Sequence, residues 1–419
     1  MTERLDVRLA DRTTDRLVGS LVDVGTGPHF QYAPAFLQER LELSPILLHT
    51  DTRVFTPGPI GLHRLQGLFF DALPDGWGLR LLHQAMRDAG LDATQCSAVT
   101  WLRALGTHGM GALTFHPPLD EVRDGALELA DLATLAAEAR AVDAAHVDEV
   151  LPALVRAGGS SGGARPKIVA GWHDSGAIVD AFMPLLPGYR PVLIKFASHR
   201  DPEDTPLVEA AYLSMAAHAG IEVPPHHVHP LPDGQWALVV DRFDRVGETR
   251  RHVHSLAGLL EIDIRHDLVD YEALLKVALQ LTGDFRVVTD AWQRAAFNVG
   301  AYNRDDHARN VAFLMAPDGT WQLAPAYDLT HAAGVGGYHA MSVAGESRTP
   351  GRDDLLRLAE HGGVARRDAV SMLDRIRSAL DDWTSLAARF GIARERARDI
   401  AQVLKRQSAL LGLSRGQAT

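Results

Sequence analysis

The chain has 419 residues, 46% hydrophobic and 23% charged, a globular balance with more length than one ordinary core needs, so two or three domains or lobes are expected. The single cysteine, Cys96, excludes an intrachain disulfide framework or a cysteine zinc cluster and fits a reducing, cytoplasmic setting. A net charge of −11 argues against a chain that grips nucleic acid by itself, Met1 to Asp11 lacks the apolar core of a signal peptide, and no segment approaches the ~18 apolar residues of a membrane span.

In chain order, Leu5 to Leu9 and Leu17 to Val22 are strand-like, Pro57-Gly58-Pro59 marks a turn, and Trp77 to Ala85 carries a helical pattern. A run of small and acidic residues, Asp120 to Gly125, gives the first boundary, ahead of an alanine-rich helix from about Leu129 to Arg140. From Gly158 the texture changes. Gly158-Gly-Ser-Ser-Gly-Gly163 precedes a strand at Lys167 to Ala170, Asp174-Ser-Gly176 is turn material, and a second strand runs from Val192 to Phe196. A helix follows, with Thr205 as its cap, Pro206 at the first helical position and Gly220 as its stop. The apolar strand Ala237 to Val240 then runs into Asp241-Arg-Phe-Asp-Arg245.

Beyond about Val253 the chain reads as mainly helical, with Tyr271 to Leu281 and Thr289 to Val299 amphipathic. One hairpin interrupts it: Val311 to Met315, a turn at Pro317-Asp-Gly319, then Trp321 to Leu323. In the tail, Val370, Leu373, Ile376, Leu380, Trp383 and Ala387 form a core stripe. A sheet lobe followed by a helical lobe, with polar motifs at their junction, is the arrangement of a bilobal nucleotide-binding enzyme, α+β in class.

The densest polar cluster is Asn303-Arg-Asp-Asp-His-Ala-Arg-Asn310. Phosphoryl transfer from ATP needs a carboxylate to orient or deprotonate the acceptor hydroxyl, and oxygen ligands for magnesium. Asp305 and Asn310 have the Asp-to-Asn spacing of a kinase catalytic loop, and a second carboxylate, Asp328, ends Leu323-Ala-Pro-Ala-Tyr-Asp328 after the hairpin. A solvated loop with Asx turns is the plainer alternative for the first cluster. His307 reads as a hydrogen-bonded structural support. Lys195, inside an apolar strand, needs a reason to be there; ATP phosphates and Glu209 on the next helix supply one. Gly162 and Gly163 end a loop whose amides can approach phosphate, although it matches neither Walker A nor G-x-G-x-x-G and such stretches are more often linkers. Asp241 and Phe243 stand where a hinge would meet adenine, and Ser160 and Ser161 are candidate phosphorylation sites. The histidines of Pro224-Pro-His-His-Val-His229 suit a surface segment better than a metal site.

Taken together these motifs resemble the HipA family, the kinase toxins of type II toxin–antitoxin modules, over nearly the whole chain. The N-terminal part adds Gly67-Leu-Phe-Phe-Asp-Ala-Leu-Pro-Asp-Gly-Trp77 and Gly109-Met-Gly-Ala-Leu113, and the serine loop extends as Ser160-Ser-Gly-Gly-Ala-Arg-Pro-Lys167. The resemblance implies a bilobal protein-kinase-like fold: a HipA-like N-terminal domain at 1–120, a kinase N-lobe at 121–250 and a helical C-lobe at 251–419. It implies ATP and Mg2+ as cofactors, Asp305 as catalytic carboxylate, Asn310 and Asp328 on magnesium, Lys195 on phosphates, Asp241 and Phe243 on adenine, and autophosphorylation at Ser160 or its neighbour Ser161. Aspartate at 241 replaces a usual glutamate, and Asp306 fills a position that can be glycine. The implied partners are a HipB-like helix-turn-helix antitoxin, through which DNA is met indirectly, and a protein substrate, with an aminoacyl-tRNA synthetase the leading expectation. The other readings are a small-molecule kinase and a catalytically silent regulatory scaffold.

Overall fold

Alternation along β1 (Glu3–Ala10) sends Leu5, Val7 and Leu9 into the interior and leaves Arg4 toward water. β1 pairs antiparallel with β2 (Asp15–Asp23) and β4 (Leu113–His116), and β2 with β3 (Pro28–Tyr32), in the order β3-β2-β1-β4. Gly19 on β2 is required by the packing. A Cβ there would lie 2.7 Å from the Phe30 ring and 2.3 Å from the Gln31 carbonyl oxygen. Phe30 in turn meets Tyr32 at 4.8 Å and Phe69 at 4.7 Å. Neither β3 nor β4 was expected from the sequence; both are short, and β3 begins on a proline.

The computed structural model describes residues 3–10, 15–119, 131–144, 150–159, 162–247 and 249–412. The expected boundary run at Asp120 to Gly125 and both serines, Ser160 and Ser161, lie outside them. The chain forms two compact units: Met1–Glu203 with His229–Ile262 and Leu314–Thr320, and Asp204–Val228 with Asp263–Phe313 and Trp321–Thr419.

The first unit also carries β5 (Lys167–Trp172), β6 (Ile178–Asp180), β7 (Arg190–Phe196) and β9 (Trp236–Asp241), with β8 (His226–Pro230) completing the order β6-β5-β7-β9-β8. One face of this sheet, with Ile168, Trp172, Val192, Ile194 and Val239, packs against Trp77 and Leu81 of the helix Gly76–Asp88 and against two further helices, Leu132–Asp143 and Pro152–Gly158. The N-terminal segment therefore supplies a layer of this core. The expected turn at Asp174-Ser-Gly176 closes the β5–β6 hairpin, with Gly176 at φ +88°.

In the second unit the helix Phe285–Gly300 is buried on all sides over its C-terminal half, Ala291 to Gly300. It is longer than the amphipathic stretch read from the sequence because other helices surround it. Its polar side chains are used: Trp292 Nε1 donates to the Leu355 carbonyl at 2.9 Å and Gln293 Nε2 to the Ala219 carbonyl at 2.6 Å. Tyr212, on the helix Thr205–His218, donates to the Ala301 carbonyl at 2.9 Å, satisfying a helix-end acceptor. Tyr212→Phe is expected to lower the urea midpoint by about 1–2 kcal/mol equivalent, the cost of one buried carbonyl left unpaired; an unchanged midpoint would mean that water replaces the hydroxyl.

Two local expectations are corrected. The cap of that helix is Asp204, with Thr205 its first residue; Asp204 turns its carboxylate to Arg396 rather than to the helix amides. The tail stripe spans two helices, Arg366–Asp381 and Trp383–Phe390, which meet at Asp382. Val370 is only half-buried there, and Ala369 and Met372 take its place in the core. Among the described residues no helix is long and apolar enough to cross a membrane.

Candidate active site

Beyond Gly300 the chain leaves the central helix through Tyr302, a non-glycine residue at φ +56°, and enters the polar cluster. Two adjacent aspartates there face opposite ways. Asp306 is buried, with 1% of its surface exposed, and accepts three hydrogen bonds of 2.8 Å each, from Tyr271 Oη, His339 Nδ1 and the Ala340 amide. Burial, then the Asp306 carboxylate beside it, pushes the Tyr271 hydroxyl well above its ordinary pKa, so it remains a donor. The Asp305 side chain, by contrast, is 62% exposed. Asn310 Nδ2 donates to the Asp305 main-chain carbonyl at 2.8 Å, closing the loop and leaving the amide oxygen of Asn310 available as a ligand. The expected Asp305–Asn310 pairing is therefore a physical neighbourhood.

His307 does not take the hydrogen-bonded role expected of it. Its Nδ1 is buried without a partner, and its Nε2 stands 3.9 Å from Asp305 Oδ1, aimed at the exposed carboxylate.

The hairpin returns the chain to this loop, its turn closed by the Gly319 amide on the Ala316 carbonyl and its base by the Ala324 amide on the Ala312 carbonyl. Tyr327 Oη then donates to the Arg309 carbonyl at 2.8 Å. After it, Asn303 and Ala332 form a parallel bridge, with the Arg304 amide on the Ala332 carbonyl at 3.1 Å. Asp328 lies between these two fastenings at φ +52°, a left-handed conformation uncommon outside glycine. Asn310 and Tyr327 line one small cavity together with Arg294. Burial pulls the Arg294 guanidinium down to about 10, still charged at neutral pH, and nothing in the sequence marks this residue beyond a charge inside an apolar helix.

The first unit presents a second group of polar residues. Lys195 on β7 is paired in register with Lys167 on β5 and Leu238 on β9, on the sheet face opposite the helical core. Both lysines are buried, at 7% and 4% exposure, so neither is a strand-edge residue pointing into water. Lys167 was not singled out from the sequence; only the strand register places it beside Lys195. Its Nζ donates to the Gly162 carbonyl at 2.6 Å. Gly163 has φ +89°, and a Cβ on it would lie 2.3 Å from that Nζ. The Gly163 amide is not open toward a phosphate here, because it donates to the Asp75 carboxylate, while its carbonyl accepts from the Trp77 amide at 2.9 Å.

Asp241 ends β9 on the same face as Val192, away from the lysines, and accepts from Arg190 Nε at 2.9 Å. Its carboxylate is thus committed, and a contact with a base would use its backbone. Phe243 is half-buried in the turn that follows, and Glu209 is buried on the helix Thr205–His218 of the second unit. The rest of the Asp241–Arg245 motif is structural. Arg242 holds Asp244 through two bonds, of 2.9 and 2.7 Å, and the Gly111 amide donates to the same carboxylate at 2.8 Å. Among the described residues no group of three or more His, Cys, Asp or Glu side chains is placed to hold a metal, the histidines of β8 included.

Residues 6–116 match the model of the HipA N-terminal domain, and residues 159–407 that of the HipA-like C-terminal domain. The chain belongs to the HipA family. Among solved structures, it is similar to HipA from the HipA–HipB–operator DNA complex of the Shewanella oneidensis MR-1 toxin–antitoxin system, with TM-score 0.67 and 18% identity over 97% of this chain and 96% of that one. At that identity the likeness concerns the fold alone, which is α+β. A weaker likeness, TM-score 0.39 and 12% identity over 53% of this chain and 88% of that one, is to the Helicobacter pylori proinflammatory kinase CtkA. No curated protein matches the sequence. Within the HipA-like C-terminal domain fall Lys167, Lys195, the 303–310 loop and Asp328.

Proposed function

We propose that this HipA-family protein is an ATP- and magnesium-dependent serine/threonine protein kinase. The observation that carries the reading is the interlock in the second unit. Asn310 closes the loop that exposes Asp305, and Tyr327 with the Asn303–Ala332 bridge fastens the Asp328 segment to the same loop. A carboxylate near an acceptor hydroxyl and two oxygen ligands for a hard cation are what phosphoryl transfer asks of a protein.

Asn310 and Asp328 fit magnesium in kind. They offer oxygen donors, and magnesium ordinarily takes only one or two protein ligands beside water and phosphate. When bound, the ion would neutralise phosphate charge. Lys167 and Lys195 would hold the phosphates, and Asp305 would orient the acceptor hydroxyl and take its proton. Gly162 and Gly163 would approach the phosphates once Asp75 releases the Gly163 amide. The main chain around Asp241 and the Phe243 ring would meet adenine.

By family likeness the acceptor is a serine or threonine of a translation component, an aminoacyl-tRNA synthetase first among them, and the loop serine, Ser160 or Ser161, is a second acceptor in the same chain. The Shewanella protein was solved with HipB and operator DNA. A HipB-like antitoxin is the proposed partner here, with DNA reached through it.

The test is incubation of the purified full chain with ATP and magnesium, followed by intact and peptide mass measurement. A phosphate on the Ser160–Ser161 peptide is expected, and none in Asp305→Asn or Asp328→Asn. A wild-type chain that neither gains phosphate nor binds magnesium–ATP in calorimetry would overturn the reading in favour of a silent scaffold.

A further inference from the structure

Asp306 accepts three hydrogen bonds in the candidate loop, and the reaction as proposed does not use it. We propose that Asp306 is a positioning residue that acts through Asp305; this rests on the phosphoryl-transfer reading of the loop.

The three bonds of Asp306 come from two separate segments. Tyr271 opens the helix Tyr271–Thr282, while His339 and Ala340 belong to the chain that follows the Asp328 segment. Tyr271 is itself held by Asn298 Nδ2 at 2.9 Å, and Asn298 Oδ1 accepts from Asn303 Nδ2 at 3.0 Å, so the network returns to the first residue of the loop. The neighbouring Arg304 adds a bond of 2.9 Å to the Arg348 carbonyl. The main chain on both sides of Asp305 is thereby fixed, and with it the direction in which the exposed carboxylate leaves the loop.

Stability alone is a poor explanation for this arrangement. A buried carboxylate is costly to desolvate, and apolar replacement of buried ionic groups is often neutral or stabilising. What three converging donors supply is one defined orientation, since a carboxylate accepting along set directions cannot rotate without losing a bond. Misplacement of a reacting group by ~1 Å is enough to cost on the order of a hundredfold in rate.

The experiment measures magnesium–ATP turnover, KM for ATP and nucleotide binding for the full chain and four variants: Asp305→Asn, Asp306→Asn, Tyr271→Phe and the double variant Asp305→Asn/Asp306→Asn. Asp306→Asn is expected to lose ~10-fold or more in kcat and Tyr271→Phe a few-fold, with KM and nucleotide affinity within about twofold of wild type. The double variant is expected to be no slower than Asp305→Asn alone, because Asp306 acts through the group already removed. A merely structural Asp306 would instead lower affinity together with kcat, or slow the Asp305→Asn background further. Either result overturns the proposal, as does unchanged kcat in folded Asp306→Asn and Tyr271→Phe. Tyr271→Phe keeps the test open should Asp306→Asn fold poorly. A wild type without turnover would sink the kinase reading and this inference together; turnover lost in Asp305→Asn but intact in the other single variants would sink the inference alone.

Discussion

Asp305→Asn is expected to reduce phosphoryl transfer by roughly 10²–10⁴-fold, the usual weight of a positioned acid–base group, while the protein melts at nearly the wild-type temperature. The two halves of that expectation have different origins. The Asp305 side chain is 62% exposed, and a substitution at such a position ordinarily changes stability by no more than about 0.5 kcal/mol. The loop does not depend on that carboxylate for its shape, since Asn310 bonds the main-chain carbonyl of residue 305. Magnesium–ATP affinity is expected to survive in Asp305→Asn and to fall in Asp328→Asn, where a metal ligand is lost. Calorimetry of both variants beside transfer assays separates the roles; loss of nucleotide affinity in Asp305→Asn would place that carboxylate on the metal instead.

Asp244→Asn is expected to have the opposite profile, a loss of about 3–5 kcal/mol of stability, because removing one partner of a buried ion pair leaves uncompensated charge. Asp244 is the acceptor for Arg242 and Arg245, both ion-paired to it, and for the Gly111 amide. Burial opposes its charged form, but the two guanidinium groups outweigh burial and hold the carboxyl well below the usual carboxylate range. Arg250 nearby is pulled down to about 10 by burial, so the group has little spare capacity for positive charge. A carboxyl with a depressed folded pKa contributes stability in full above its unfolded value of about 3.9 and loses it progressively as pH falls toward the folded value. Wild-type stability is thus expected to drop on acidification below about pH 4, and the variant to lack that part of the slope. Denaturant titrations at pH 7, 4 and 3 check both statements; parallel wild-type and variant curves would show that the arginines find another acceptor.

How much of this was visible in the sequence varies by residue. The hairpin, the strand of Lys195 and the Asp305-to-Asn310 spacing are local patterns, and local patterns survive folding. The opposite facing of Asp305 and Asp306 is not local. It depends on Tyr271 and His339, each more than thirty residues away from Asp306, so two adjacent aspartates read alike until the fold places the donors. Lys167 escaped notice because its partner in register lies on another strand, and a single lysine after a proline carries no pattern. The cap at Asp204 was missed because threonine followed by proline is an equally good start by composition, and Arg396 decided what Asp204 does. In the Asp241–Arg245 motif only the hinge position of Asp241 and Phe243 pointed to adenine, whereas Arg242, Asp244 and Arg245 neutralise one another beside the Gly111 amide.

Trp77 has a consequence for modularity. Its ring lies in the core that also holds Ile168 and Ile194, its indole N–H donates to the Lys167 carbonyl at 2.8 Å, and its neighbour Gly76 would place a Cβ 2.8 Å from the Gly163 carbonyl oxygen. The segment that matches the HipA N-terminal domain is therefore not a detachable accessory. A gene cut to its 159–407 portion would encode a sheet stripped of one covering layer. A recombination joint placed anywhere between residues 116 and 159 would have to carry the Gly76-Trp77 pair and its receiving loop from the same parent.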